Sequence, residues 1–148
     1  MENPIAENLW WVIPGKLAGV RKPTPEELNE LKEAGIGAIA SILDDPSNLA
    51  LYDEANIPHV WLPTSGGTAP SPEQVQKLQG FINQQNQLDN AVAIHCTNGR
   101  RRTATMIAAY LISSGSSYAE AMQIINNANS DIDLRESQTN FLQTLAEQ

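Results

Sequence analysis

Short apolar runs that alternate with helix-start signals constrain the fold of this chain more than any other feature. Residues 36–43, 57–62 and 91–94 form such runs, and the first two are followed by segments that contain proline or glycine. We predict buried strands from the first two runs and a further strand from the third. The tetrapeptide Ser-Pro-Glu-Gln at 71–74 combines a cap residue, a proline at the first helical position and a side-chain acceptor two residues later, so it predicts the start of a helix.

The N-terminal part of the chain predicts a strand hairpin and a helix. Apolar stretches at 9–13 and 17–20 are separated by a proline and a glycine at 14–15, which is typical of two strands joined by a turn. A second cap-and-proline signal, at 24–27, predicts a helix that ends at Gly35.

The C-terminal third favours helices. From Arg102 onward helices are interrupted by a break at Gly115, a capping box at 117–120 and a loop around 129–133. The order of all these elements predicts one α/β domain over residues 1–148. In it, a central, mostly parallel sheet of about five strands is flanked by helices and followed by a helical C-terminal third.

Composition narrows the classes of protein to consider. The formal net charge is −8, which argues against nucleic acid or an anionic membrane surface as a partner. The chain has no apolar run of about 20 residues and no signal-peptide pattern at its start, so we expect a cytoplasmic protein, and we expect it to act as a monomer. A single cysteine and two histidines exclude an internal disulfide framework and disfavour a metal cluster, and no cofactor is expected.

The segment 91–103, with the sequence AVAIHCTNGRRRT, concentrates the reactive and positively charged residues of the chain. It holds the single cysteine, Cys96, and three of the five arginines. In largely parallel sheets, ligands bind at the carboxyl ends of the strands, and Cys96 follows the predicted strand 91–94 where the chain turns toward a helix. Because the chain as a whole is acidic, this positive island is suited to one small anionic group rather than to a polyanion.

A turn of this kind suits phosphate binding and nucleophilic attack. With Gly99 at its middle, the loop curls so that successive backbone N–H groups point inward, next to the positive end of the following helix. We expect that helix end and the guanidinium groups to lower the pKa of the Cys96 thiol and so to favour the thiolate. Arg102 falls on the first helical turn, where its planar side chain offers two donors to two phosphate oxygens.

The spacing His-Cys-x-x-Gly-x-x-Arg-Thr at 95–103 resembles the signature of cysteine-dependent protein tyrosine and dual-specificity phosphatases. Together with the N-terminal stretch LWWVIPGKLAG, the order of elements is similar to that of the small atypical dual-specificity phosphatases over nearly the whole chain. The resemblance implies a tyrosine-phosphatase-like fold and a phosphocysteine intermediate on Cys96. It also implies that Arg102 clamps the phosphate, that the Thr103 hydroxyl supports the thiolate as leaving group, and that His95 orients the loop.

The predicted substrate-binding residues follow the nucleophile directly. They are Thr97, Asn98, Gly99, Arg100 and Arg101. Arg100 and Arg101 have two interpretations, since they are either solvated surface residues or extra attraction for a substrate with several phosphates. The resemblance implies a phosphorylated protein or a small phosphomonoester as the substrate.

Two other interpretations of the cysteine loop fit the sequence less well. A lone cysteine at the end of an apolar strand is often only a small buried hydrophobe, but such a residue gains nothing from a glycine and three arginines beside it. Sulfurtransferases of the rhodanese type tend to read Cys-x-x-Gly-x-Arg-Ser. Arg101 fits that arginine, but Arg102 then stands where the hydroxyl residue belongs, and Thr103 after Arg102 favours the phosphatase spacing.

The chain departs from the family where the general acid is expected. Related phosphatases usually carry an aspartate near the position of Gly66, but the segment 61–72 contains no carboxylic acid, and Glu73 after it is suited to the first turn of the predicted helix. Three explanations are open: another carboxylate replaces it, the Gly66-Gly67 loop is a mobile lid or open mouth of an enzyme without an acid, or the protein binds phosphate with little turnover. The candidate replacement acids are Asp44, Asp45, Asp131, Asp133 and Glu136.

The sequence therefore predicts a cysteine-dependent phosphatase that hydrolyses phosphomonoesters. Phosphotyrosine is the expected substrate, with phosphoserine and phosphothreonine as further ones. A phosphate-recognising binding module with weak activity is one alternative, and a phosphoinositide or another non-protein phosphate as substrate is a second. The intact Cys96 favours catalysis, because binding alone requires no nucleophile.

Overall fold

The computed structural model, which describes residues 4–148, has one mixed sheet of five strands at its centre. In chain order the strands are β1 (Trp10–Ile13), β2 (Leu17–Val20), β3 (Ile36–Ser41), β4 (His59–Trp61) and β5 (Ala91–His95). Across the sheet the order is β1-β2-β5-β3-β4, and only β1 runs antiparallel to its neighbour. The predicted hairpin and the mostly parallel α/β sheet are confirmed.

Helices cover both faces of the sheet. In the described part of the chain they are α1 (Ile5–Asn8), α2 (Leu28–Glu33), α3 (Leu49–Glu54), α4 (Pro72–Gln87), α5 (Arg101–Ser113), α6 (Tyr118–Ala128) and α7 (Glu136–Ala146). The first three pack on one face of the sheet and the last four on the other, so the sheet lies between two separate apolar cores.

Capping boxes set the starts of two helices as the sequence predicts. At α4 the Ser71 hydroxyl accepts from the Gln74 N–H at 3.2 Å, while the Gln74 side chain accepts from the Ser71 N–H at 3.0 Å. Ser117 and Glu120 make the same reciprocal pair at α6, at 3.1 and 2.9 Å. Each box satisfies backbone N–H groups that the first turn of a helix leaves without a partner.

Two short helices escape the sequence patterns. Helix α1 begins after Pro4 and α3 after Asn48, and neither start has a hydrogen bond from a capping side chain. Asn48 adopts a left-handed conformation, with φ 72°. The helix predicted from the signal at 24–27 also differs in detail, because that segment forms a 3₁₀ turn (Pro25–Glu27) before α2 begins.

The run at 57–62 contains a strand, as predicted, but the prediction that this strand is buried is wrong. Strand β4 is only three residues long, and it lies at the edge of the sheet, where it has a neighbour on one side alone. Its His59 and Val60 are half-buried, and Trp61 is 38% exposed. An apolar run looks the same whether the strand is central or at an edge, so the sequence does not separate the two.

Strand β5 is the central strand and positions the cysteine loop. All five of its residues are buried, between the parallel neighbours β2 and β3. At its carboxyl end His95 is in register with Val20 of β2 and Ser41 of β3. The three loops that follow these strands therefore meet at one edge of the sheet, which is where ligands bind in folds of this kind.

The described helices include none with the length and apolarity that crossing a bilayer requires.

A pair of leucines in one helical region tests the role of the core. Leu78 is fully buried in α4, whereas Leu88 at the end of the same helix is 62% exposed. We expect Leu78→Ala to lower the free energy of unfolding by about 2–5 kcal/mol, because it removes buried methyl groups and leaves a cavity. Leu88→Ala should change it far less. Urea unfolding of both variants measures the difference, and equal losses would contradict the assignment of α4 to the core.

Candidate active site

Cys96 lies on the floor of a cavity at the carboxyl edge of the sheet. Its side chain is buried, with 4% exposed, and the cavity above it has a volume of about 350 Å³. The lining residues are Gly66, Gly67, Cys96, Thr97, Asn98, Arg100, Arg101, Arg102, Asp131, Asp133 and Arg135. The structure thus brings the predicted nucleophile and the predicted substrate-binding residues to one place, with Gly99 behind the loop rather than on the cavity wall.

The thiol of Cys96 has a pKa below its ordinary value. Burial by itself raises that pKa, because it disfavours the charged thiolate. The Thr103 hydroxyl opposes this by donating to Sγ at 3.1 Å, and the backbone N–H groups of Thr103, Arg100 and Gly99 do the same. These donors outweigh burial, so the site favours the thiolate.

The turn at Gly99 requires glycine for two reasons. Its φ is +70°, in the left-handed region, and a Cβ built there would lie 2.3 Å from the backbone of Val20. On its other side the Gly99 carbonyl accepts from the Trp10 indole N–H at 3.0 Å. The loop is therefore held between the backbone of β2 and the Trp10 side chain of β1.

Arg102 lies in the first turn of α5, as the spacing predicts, and its guanidinium faces the loop. Its Nη1 donates to the Thr64 carbonyl at 2.9 Å and its Nη2 to the Thr97 hydroxyl at 3.3 Å. The Asp44 carboxylate is 3.9 Å from Nη1. These contacts fix the plane of the guanidinium above the cysteine loop, which suits paired donation to two oxygens of one phosphate.

His95 orients the cysteine loop through a buried chain of hydrogen bonds. Its Nδ1 lies 3.2 Å from the Cys96 carbonyl, which only accepts, so Nδ1 carries the hydrogen. Its Nε2, 2.8 Å from the Tyr52 hydroxyl, then accepts, and that hydroxyl accepts from the Asn48 amide at 3.1 Å. Burial lowers the pKa of His95 to about 4, so the ring is neutral near neutral pH. The sequence analysis missed Tyr52 and Asn48, because no local pattern connects α3 to the cysteine loop.

The candidate replacement acids occupy different places. Asp131 and Asp133 line the cavity, whereas Asp44 contacts Arg102 from outside the lining. Asp45 is a turn residue whose carboxylate accepts from the Ser47 N–H at 2.8 Å, which lowers its pKa. Glu136 begins α7 and is not among the lining residues.

The Gly66-Gly67 loop forms one rim of the cavity and is tied to α7. Ser137 Oγ donates to the Gly67 carbonyl at 2.8 Å, and the Gln138 side chain donates to the Thr68 carbonyl at 3.2 Å. Because these hydrogen bonds hold the loop against α7, they favour an open mouth of the cavity over a mobile lid.

Four of the five arginines of the chain line the cavity. Arg101 is held by a hydrogen bond of 2.8 Å from its Nε to the Asp133 carbonyl. Arg135 was not a candidate in the sequence analysis, because it lies far along the chain from the cysteine motif and belongs to no pattern of its own.

The Thr103 hydroxyl provides a test of how the thiolate is stabilised. Thr103→Ala is expected to raise the pKa of the Cys96 thiol, because it removes a donor to Sγ while burial stays. The rate of alkylation by iodoacetamide as a function of pH measures this pKa, since Cys96 is the single cysteine. Thr103→Ser keeps the hydroxyl and serves as the matched control. An unchanged alkylation midpoint in Thr103→Ala would show that the hydroxyl plays no part.

Known proteins are similar to this chain in sequence and in fold. Phosphatidylglycerophosphate phosphatase PTPMT1 of Arabidopsis thaliana is 29% identical over 113 residues, which are 72% of this chain and 33% of that protein. Dual specificity protein phosphatase CDC14A of Homo sapiens is 25% identical over 116 residues, or 69% of this chain and 19% of that protein. The chain thus spans less than half the length of the curated relatives it matches.

Among solved structures, Tk-PTP in its active form superposes with a TM-score of 0.86 at 26% identity, covering 95% of this chain and 97% of that one. PTPMT1 in complex with PI(5)P gives 0.85 at 21% identity, covering 95% of both chains, which shows the fold alone. The family model described as "Polymorphic toxin system, DSP-PTPase phosphatase" matches residues 15–116. Because that match spans the sheet from β2 to β5 and the whole cysteine loop with α5, the chain belongs to this family of DSP-PTPase phosphatases.

Proposed function

We propose that this phosphatase hydrolyses phosphomonoesters through a phosphocysteine intermediate on Cys96. The observation that carries the proposal is a buried thiol of lowered pKa on the floor of an arginine-lined cavity. In the first step Sγ attacks phosphorus, the P–O bond to the leaving group breaks, and the leaving oxygen takes up a proton. In the second step water attacks phosphorus, the S–P bond breaks and the thiolate is restored.

The loop and Arg102 supply the electrostatic part of this reaction. Charge on the phosphoryl oxygens meets the guanidinium of Arg102 and the backbone N–H groups of the loop, which are already oriented before substrate binds. In the second step the leaving thiolate is stabilised by the Thr103 hydroxyl, which lies 3.1 Å from Sγ. Both contributions come from groups that other contacts hold in place, so little reorganisation is needed.

Asp133 is the proton donor that the geometry favours. It lines the cavity that contains Cys96, and its backbone carbonyl is anchored by Arg101 Nε at 2.8 Å. Asp131 also lines this cavity, but it faces a second one behind the loop as well. We propose that Asp133 protonates the leaving oxygen in the first step and accepts a proton from water in the second.

The lining of the cavity bears on the choice of substrate. Its side chains are polar or charged, and among the described residues no aromatic side chain contributes to it. A phosphotyrosine ring therefore gains little from these walls, whereas hydroxyl-rich phosphomonoesters find many hydrogen-bonding partners. The similarity to a phosphatidylglycerophosphate phosphatase supports a non-protein substrate. Hydrolysis of phosphotyrosine, phosphoserine and phosphothreonine stays a prediction.

The lone nucleophile also supports a reducing compartment such as the cytoplasm. A low-pKa cysteine is sensitive to peroxide, and the chain has no second cysteine to form an internal disulfide that would protect it.

Replacing the nucleophile separates catalysis from binding. We expect Cys96→Ser to abolish hydrolysis of p-nitrophenyl phosphate, because a serine hydroxyl is a far weaker nucleophile near neutral pH, while inorganic phosphate still binds to Arg102 and the loop. Phosphate release and calorimetric titration measure the two properties. Full activity in Cys96→Ser would refute the phosphocysteine mechanism. Tight binding of phosphorylated ligands by a wild type that turns nothing over would favour the binding module.

Removing the proposed acid should affect poor leaving groups most. Asp133→Asn is expected to lower kcat for an alkyl phosphate by about 10²–10⁴-fold and for an aryl phosphate by less, because a phenolate leaves without full protonation. The fall in rate on the basic side of the pH–rate profile should also disappear in Asp133→Asn. Asp45→Asn is the matched control, since Asp45 serves a turn outside the cavity. If Asp131→Asn alone produces these changes, Asp131 is the acid instead.

A further inference from the structure

Arg135 is a cavity residue that the proposed reaction leaves unused. It lines the same cavity as Cys96, and within the described residues its guanidinium has no hydrogen bond or ion pair to protein. Arg102, in contrast, is engaged by the Thr64 carbonyl and the Thr97 hydroxyl and serves the phosphate that is transferred. An unpaired guanidinium at the wall of a binding cavity is a strong site for an anion, because it presents a planar fork of donors.

The backbone around Arg135 is fixed before any ligand binds. Its N–H donates to the Gln138 side chain at 3.0 Å, and Gln138 is fully buried and donates in turn to the Thr68 carbonyl. A Cβ built at Gly67 would lie 3.4 Å from Arg135 Cδ, so the stem of Arg135 lies across the glycine loop. The backbone from which the Arg135 side chain extends is therefore fixed at the cavity rim, so it adds no ordering cost when a ligand binds.

Arg101 offers a second set of donors on the same wall. Its Nε is used by the Asp133 carbonyl at 2.8 Å, which holds the side chain against the loop that leads to Arg135. In the described part of the chain the terminal nitrogens of Arg101 form no hydrogen bond to protein, and only its Nε does. Arg101 and Arg135 thus flank Asp133, one from α5 and the other from the start of α7.

The cavity carries more positive charge than the binding of one phosphate requires. The chain carries a net charge of −8, yet four arginines and only two carboxylates, Asp131 and Asp133, line this cavity. Neither of these carboxylates forms an ion pair with a lining arginine in the described residues. The volume of about 350 Å³ falls within the range of small-molecule pockets, about 300–1,000 Å³, so the cavity holds more than a phosphate group alone.

We infer that Arg101 and Arg135 form a second anion subsite, which selects phosphomonoesters that carry a second phosphate on the same small polyol. The inference rests on the proposed function, since the first phosphate is the one that Cys96 attacks. The second phosphate stays bound to the arginines, and no bond to it breaks. Either a free polyol bisphosphate or the headgroup of a phosphorylated inositol lipid has this chemistry.

The selectivity for a second phosphate tests the subsite. We expect the wild type to hydrolyse inositol bisphosphate with a kcat/KM about tenfold or more above that for inositol monophosphate, as a charged hydrogen bond to phosphate contributes this much. Arg135→Ala and Arg101→Ala should each lower this ratio by about tenfold, and Arg135→Lys should lower it less because the charge remains. Added salt should lower the ratio in the wild type, since the subsite is open to solvent.

Lys77→Ala is the matched control. It removes the same unit of charge from an exposed position in α4, outside the cavity lining, so it should keep the wild-type ratio. Thermal unfolding of each variant shows whether it is folded. A wild-type ratio near one, or a ratio that neither arginine substitution changes, overturns the subsite while Cys96-dependent turnover of the monophosphate leaves the proposed function intact.

Binding separates the two hypotheses if no phosphomonoester is turned over. Calorimetric titration of the wild type with inositol bisphosphate and inositol monophosphate then measures the subsite directly. If the wild type binds the bisphosphate more tightly than the monophosphate and Arg135→Ala abolishes this difference, the subsite is supported even though the proposed reaction has failed. Equal affinity for both ligands overturns it.

Two further substrates distinguish the source of the second phosphate. One is phosphatidylinositol monophosphate in phosphatidylcholine vesicles, whose diester phosphate is the second anion, and the other is its soluble, deacylated headgroup. Faster turnover of the vesicle lipid identifies a lipid source, and faster turnover of the soluble deacylated headgroup identifies a free one. Either result supports the subsite if Arg135→Ala lowers that turnover, and turnover independent of Arg135 in both arms overturns it.

Discussion

The close approach of Gly99 to the backbone of Val20 is the constraint on which the site depends. No side chain fits between the cysteine loop and the end of β2, so the loop packs directly against the sheet. Further hydrogen bonds secure the same contact, from the Trp10 indole to the Gly99 carbonyl and from the Lys22 N–H to the Thr97 carbonyl at 3.1 Å. These contacts fix the loop to the sheet, so its inward-pointing N–H groups are held as rigidly as the core.

This rigidity explains how a buried thiol keeps a low pKa. Burial opposes the thiolate, and a flexible loop would lose its donors to water or to other conformations. Here the donors to Sγ belong to a loop held from β1 and β2 and to Thr103, which is fully buried in α5. On the far side of the sheet, Asn48, Tyr52 and His95 hold the Cys96 carbonyl in a chain of hydrogen bonds. Cys96 is therefore supported from both faces of the sheet.

Local patterns predicted those parts of the molecule that local interactions create. The capping boxes at Ser71 and Ser117 satisfy nearby backbone groups, and the cysteine loop is a contiguous motif, so both were readable from the sequence. Helices α1 and α3 escaped because they lack capping side chains, and β4 was misjudged because burial at a sheet edge depends on neighbours that a single run does not reveal. Arg135 and the choice among the candidate acids depend on where α7 packs, which is a tertiary property.

The cavity is built from two separate segments of the chain. Cys96, Arg102 and Thr103 belong to the unit of β5 and α5, whereas Asp133 and Arg135 belong to the exposed loop before α7. Asp133 and Arg135 are exposed, so substitutions at these two positions leave the packing of the central strand untouched, and exposed loop positions tolerate sequence change better than a core does. In evolutionary terms, a lineage with this fold is able to vary a few exposed positions at the mouth of the cavity while the cysteine loop and its contacts with the sheet are inherited unchanged.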